Sequence, residues 1–184
     1  MDLMLYSVPL PQQPVPLCVM ALAILAASTD IVSRRIPNLL IAFGLVAALA
    51  VQFALHGALP GAAIWLGGAL TGFGLLLPFY LLRGMAAGDV KLLMMLGAWL
   101  GAAAIVNVAV STFIIGGIWS LGIVLVRGRL MRLAGNVAAL ITGSCRAIRG
   151  MGVSPGAGRE SVGSIPYGVA IAAGTVAVMF AMVR

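Results

Sequence analysis

The stretch that decides the fold runs from Ile36 to Leu82 and reads IPNLLIAFGLVAALAVQFALHGALPGAAIWLGGALTGFGLLLPFYLL. Its 47 residues include no Asp, Glu, Lys or Arg. As a single helix it would be about 70 Å long, at about 1.5 Å per residue. Because the hydrocarbon core of a bilayer is about 30 Å thick, the stretch predicts two membrane crossings. Gly and Pro interrupt it at residues 56–61, HGALPG, and the break between the two helices is predicted there.

The rest of the chain is equally apolar. Hydrophobic residues make up 62% of the 184 residues, charged residues 8%, and the mean hydropathy is +1.17. This composition excludes an ordinary soluble domain. The net charge of +7 lies in short segments between apolar runs, which indicates membrane topology and argues against a nucleic-acid partner. Cys18 and Cys145 are isolated from each other and from His, so no metal site is predicted.

The pattern predicts an all-α integral membrane protein, a single domain over residues 1–184 with a bundle of six transmembrane helices. The approximate spans are 17–32, 36–55, 61–82, 90–106, 109–126 and 164–183. The uncharged residues 92–126 would be about 52 Å long as one helix, which is too long for one crossing and short for two. They are therefore divided between the fourth and fifth spans, with a tight turn predicted near Asn107. Residues 127–163 are predicted to be a cytoplasmic basic loop, part of which forms an amphipathic helix on the membrane surface.

Loop charges predict the orientation of the bundle. The loops after spans one, three and five, together with Lys91 at the cytoplasmic start of span four, hold all Lys and Arg residues except Arg184. Because basic loops stay in the cytoplasm, both termini are expected outside it. The N-terminus has no basic residue before the first span, so that span is expected to be retained, unlike a signal peptide. Asp30, ending span one, and Asp89, opening span four, then fall at the same cytoplasmic end.

These two aspartates are half of the acidic residues in the chain, which has four. An acid in a membrane helix usually faces the bundle interior or a wet cavity. Two neighbouring carboxyls cannot both ionise, so one is a base while the other keeps its proton. Such a pair can activate a water and stabilise the oxyanion in peptide hydrolysis. The alternative for each Asp is a headgroup position or a helix N-terminus, where the macrodipole favours it.

Three segments resemble, in order, the signature segments of type IV prepilin peptidases. They are DIVSRRIPN at 30–38, GMAAGDVKLL at 84–93 and IPYGVAIAAG at 165–174. The resemblance implies a membrane-embedded aspartyl endopeptidase of the bacterial cytoplasmic (inner) membrane, with Asp30 and Asp89 as catalytic residues and no cofactor. It also implies that the partners are membrane lipid and a prepilin or pseudopilin substrate, whose basic leader is removed at the cytoplasmic face.

Longer members of that family carry an additional N-terminal domain with paired CxxC motifs and an N-methyltransferase activity. The chain shows no CxxC motif and so resembles the short, peptidase-only form of Flp-type or tight-adherence pilus systems. Methyltransferase activity is therefore not expected.

The same segments supply the predicted supporting or substrate-binding residues. They are Gly84, Ala86, Gly88, Lys91, Pro37, Asn38, Pro166, Tyr167 and Gly168. The family's Gly-x-Gly-Asp reads Ala86-Ala87-Gly88-Asp89 here. If position 86 requires a positive φ, Ala costs about 1–2 kcal/mol; if it requires only a small side chain, Ala fits, and we favour the second interpretation. The missing Cβ of Gly88 is expected to let a substrate backbone approach.

Several roles and functions stay open at this point. Lys91 either tunes the nearby Asp, meets an acidic group of the substrate, or anchors the membrane boundary. Tyr167 either hydrogen-bonds in the site or is an interfacial aromatic residue, whereas Pro37, Pro166 and Gly168 are expected to set helix entry geometry. The alternative functions are a small transporter or ion-channel subunit with acids along its path, and a noncatalytic pilus-assembly membrane protein.

Overall fold

A computed structural model of the protein describes residues 13–82, 84–126 and 167–182. These residues form six α-helices and no strand, which confirms the all-α prediction for this part of the chain. The helices are α1 Val15–Ser33, α2 Asn38–His56, α3 Ala58–Leu81, α4 Ala87–Leu100, α5 Ala102–Val126 and α6 Tyr167–Met182. The predicted basic loop at 127–163 lies outside the described residues. One compact unit contains the chain up to Gly116 together with α6, and a second begins at Gly117.

Four helices are long and apolar enough to cross a membrane: α1, α2, α3 and the Ala102–Gly122 part of α5. Large apolar side chains such as Phe43 and Leu70 are exposed on the outside of these helices, as expected where lipid is the solvent. The protein is therefore a multi-pass membrane protein. The count of six spans and the position of both termini outside the cytoplasm stay predictions.

Two of the connections between helices are single glycines in the left-handed region. Gly57 joins α2 to α3 with φ 83°, and Gly101 joins α4 to α5 with φ 79°. Glycine adopts such values at no steric cost. The first break lies within the predicted segment 56–61. The second is at Gly101 and not near Asn107, where the length of the uncharged run predicts it, so α4 has 14 residues and α5 has 25.

The short helix α4 is the most enclosed helix of the first unit. It contacts α1, α2, α3 and α6, and ten of its residues are buried. A helix of 14 residues is about 21 Å long, at about 1.5 Å per residue, which is less than the roughly 30 Å of a hydrocarbon core. Its neighbours rather than lipid therefore provide most of its surroundings, and Asp89 in its first turn is held inside the protein.

Glycines bring the backbones of α3 and α4 close together. A Cβ added at Gly68 would overlap the carbonyl group of Gly97, and one added at Gly72 would overlap that of Leu93. Glycines four residues apart are typical of membrane helices that pack in direct backbone contact. At the other end of α4, the buried Gln52 amide donates to the Trp99 carbonyl oxygen at 2.8 Å. These contacts fix the position of α4 along its neighbours.

We expect Gly72→Ala to lower the thermal unfolding midpoint, because the added methyl group would push α3 away from α4. Overpacking of this kind typically costs about 1–3 kcal/mol. Gly74→Ala is the matched control: a Cβ there meets nothing within 4 Å, and Ala is the better helix former by up to about 1 kcal/mol. Melting curves of both variants in the same detergent check this, and equal midpoints would contradict the close packing.

Candidate active site

Asp30 lies in the last turn of α1, and its side chain points into the bundle. Its exposed fraction is 8%, whereas that of the next residue, Ile31, is 60%. The helix ends at Arg34, which has a left-handed φ of 50° and donates its N–H to the Asp30 carbonyl oxygen at 2.9 Å. The end of the helix therefore holds the Asp30 backbone while the carboxyl group faces inward.

The Asp30 carboxylate binds the start of α6. Its Oδ2 accepts the backbone N–H of Gly168 at 2.9 Å, across 138 residues of sequence. The first N–H groups of a helix have no partner within the helix, and the helix dipole favours a negative charge there. A Cβ at Gly168 would lie 2.8 Å from that same oxygen. Glycine is therefore the residue that allows Asp30 to reach this N–H, and two of the predicted site residues come together.

Asp89 is the third residue of α4 and has an exposed fraction of 6%. Its backbone N–H donates to the Ala86 carbonyl oxygen at 3.2 Å. The first turn of α4 therefore holds the Asp89 backbone while its carboxyl group is buried inside the protein.

The two carboxyl groups belong to one site. Asp30 and Asp89 interact electrostatically, and Tyr167, the first residue of α6, interacts electrostatically with Asp89. The end of α1 and the starts of α4 and α6 therefore meet, which brings together residues from all three predicted segments. Two buried, interacting carboxyls can divide the roles of base and acid between them, because full ionisation of both is disfavoured.

The glycine segment before Asp89 places no residue in a strained conformation. Ala86 is extended, with φ −79° and ψ 149°, a conformation open to any residue. Gly84 ends the α3 region by donating its N–H to the Phe79 carbonyl oxygen at 2.8 Å. A Cβ at Gly88 would make only an ordinary contact with Ile36, at 3.7 Å. The fold therefore accepts Ala at 86, and it does not itself require Gly at 88.

Lys91 joins the first two segments to each other. Its Nζ donates to Asn38 Oδ1 at 3.0 Å in an exposed hydrogen bond. Pro37 is the N-cap of α2, one residue before the helix begins, and its carbonyl oxygen accepts the N–H groups of the third and fourth residues of that helix. These residues connect the starts of α2 and α4 beside the aspartates. His56 is at the opposite end of α2, and Pro166 lies outside the described residues.

Gly116 of α5 is a residue of the site that the sequence pattern does not predict. A Cβ there would lie 3.3 Å from the Tyr167 hydroxyl oxygen. The chain contains 24 glycines, and no local feature distinguishes this one before the helices are packed. Within the part of the chain that the structure describes, no group of three or more His, Cys, Asp or Glu side chains could hold a metal ion.

Comparison with known proteins agrees with this geometry. A model of the type IV leader peptidase family matches residues 17–121, more than half of the chain, and the match includes both Asp30 and Asp89. No curated protein and no solved structure matches the chain. Members of the family are aspartic-type membrane peptidases. With its two buried, interacting aspartates, the chain belongs to the type IV leader peptidase family.

Proposed function

We propose that the protein is a membrane-embedded aspartyl endopeptidase that removes the basic leader from prepilin or pseudopilin precursors at the cytoplasmic face of the bacterial inner membrane. The observation that carries the proposal is the meeting of two buried acids, Asp30 and Asp89, from separate helices. Family membership supports the peptidase chemistry. The prepilin substrate follows from the resemblance of the three sequence segments.

The proposed reaction uses one ionised and one protonated carboxyl. The ionised group takes a proton from a water as the water oxygen attacks the scissile carbonyl carbon. The protonated group donates a hydrogen bond to the carbonyl oxygen as it becomes an oxyanion. When the tetrahedral intermediate collapses, the C–N bond breaks and the proton taken from water passes to the leaving amine. Two peptide products form, and the carboxyls return to their starting state.

The surrounding residues would hold this pair in place and admit the substrate. The Gly168 N–H would hold Asp30, and the packing of α4 against its neighbours would hold Asp89. Gly88 leaves open the space that a side chain would fill beside Asp89, and we assign that space to the substrate main chain. No specific observation favours a transporter, because both acids lie at helix ends. The unstrained Ala86 backbone likewise gives no reason to infer a noncatalytic protein.

We expect Asp30→Asn and Asp89→Asn each to reduce leader cleavage by on the order of 10²–10⁴-fold, the usual contribution of a general acid or base. Asn keeps the size of the side chain and can still accept an N–H, so both variants should fold. The measurement is release of the leader from a Flp-type prepilin by protein reconstituted in liposomes, followed by mass spectrometry. Full cleavage by either variant would remove that Asp from the mechanism.

Gly168→Ala is expected to reduce kcat by about tenfold or more, because the methyl group displaces the Asp30 carboxyl and small misplacements of reacting groups are costly. Gly174→Ala on the same helix is the matched control. A Cβ at Gly174 would lie 2.5 Å from Thr112 Oγ1, so that variant is similarly crowded without contacting Asp30. Equal kcat losses in two variants of equal thermal stability would show that the Gly168 contact has no special role.

Ala86→Gly should change the cleavage rate by less than about threefold, because the extended backbone at position 86 does not need glycine. The same liposome assay measures it, with the unfolding midpoint as a check on folding. A gain of tenfold or more would mean that Ala86 impairs the site, and the interpretation of this position would then be wrong.

A further inference from the structure

Tyr167 is a polar side chain at the site that the hydrolysis steps above do not use. It is the first residue of α6, directly before the Gly168 amide that binds Asp30. Its ring is half-buried and packs against the hydrophobic core, and its phenol interacts electrostatically with Asp89. One helix start therefore approaches both aspartates, through a main-chain N–H on one side and a phenol on the other.

The position of the phenol depends on a glycine of α5, which has no side chain to occupy the same space. A Cβ at Gly116 would lie 3.3 Å from the Tyr167 hydroxyl oxygen and 3.4 Å from its ring atom Cε2. Both distances are at or below an ordinary van der Waals contact. The bare backbone at Gly116 therefore leaves the space in which the hydroxyl end of the ring lies. At the neighbouring Gly117, a Cβ would meet nothing within 4 Å.

No described residue occupies the hydrogen-bonding capacity of the hydroxyl. Among residues 13–82, 84–126 and 167–182 it has no hydrogen-bond partner. A phenol can donate one hydrogen bond, and it keeps its proton through the neutral pH range in which one of two paired carboxyls is ionised. A neutral donor held beside a carboxyl pair is suited to an oxygen that gains negative charge during reaction.

We propose that the Tyr167 hydroxyl is a third catalytic group, which donates a hydrogen bond to the scissile carbonyl oxygen as it becomes an oxyanion, and that Gly116 provides the space that places it. The inference rests on the proposed peptidase function. The Tyr167 hydroxyl would be a hydrogen-bond donor that keeps its proton throughout the reaction, whereas a carboxyl that acts as a base gains and loses one. It also gives α6, which lies outside the matched residues 17–121, a direct part in the chemistry.

The first test is Tyr167→Phe, which removes the donor and keeps the ring. We expect kcat to fall about 10–100-fold with KM within about twofold of wild type, since the lost interaction is made only in the transition state. Tyr80→Phe is the matched control, because Tyr80 lies on α3 and is 43% exposed; its kcat should be unchanged. Reconstituted full-length protein and a Flp-type prepilin are used throughout.

The second test places a methyl group against the hydroxyl. Gly116→Ala should lower kcat several-fold with Tyr at 167 and less than twofold in the Tyr167→Phe background, since coupled residues are not additive. Gly117→Ala should have no effect in either background. If Gly116→Ala lowers kcat equally in both backgrounds, the inference that Gly116 positions the Tyr167 hydroxyl is wrong.

Two results separate this inference from the proposed function. If wild type cleaves the prepilin but Tyr167→Phe keeps kcat within twofold, the hydroxyl has no catalytic role and the peptidase assignment stands. If wild type leaves the prepilin intact while properly folded, both the inference and the assignment fail.

Discussion

The site depends on one hydrogen bond, from the Gly168 amide to the Asp30 carboxylate. It joins the end of α1 to the start of α6 and supplies a charge-assisted partner to a buried acid. The helix N-terminus gains a negative group where its own N–H groups lack partners. One contact therefore stabilises the ends of two helices and orients a buried carboxyl group. Because a Cβ at 168 would occupy the same space, the contact requires glycine.

The second carboxyl is placed by packing along the length of α4. Backbone contact at Gly72 and the hydrogen bond from Gln52 to Trp99 hold α4 against α3 and α2. The position of the first turn of α4 relative to these two helices is therefore fixed. Asp89 lies within that turn and is buried. The two interacting acids, which repel each other when both are charged, are thus held in place by contacts distributed over a whole helix.

The candidate site residues are easier to identify from the sequence than the helix boundaries, and their catalytic roles stay predictions. Acids are so rare in this chain that Asp30 and Asp89 are identifiable at once, and the motif order points to Gly168. The length of an uncharged stretch, however, indicates how many helices it can form but not where one ends and the next begins. The turn at Gly101 is therefore predicted at the wrong position, near Asn107. Gly116 and the Lys91 bond to Asn38 arise only when helices distant in sequence pack together. Such contacts cannot be predicted from the composition of the chain.

The separation of 138 residues between Asp30 and its partner also has a consequence for biosynthesis. Chains grow at about 5–20 residues per second, so Gly168 is made on the order of 10 s after Asp30. Until then Asp30 lacks the amide that orients it, although the residues of α1 to α4 have already been synthesised. The candidate site is therefore completed only with the last described helix, after the earlier spans have had time to enter the bilayer.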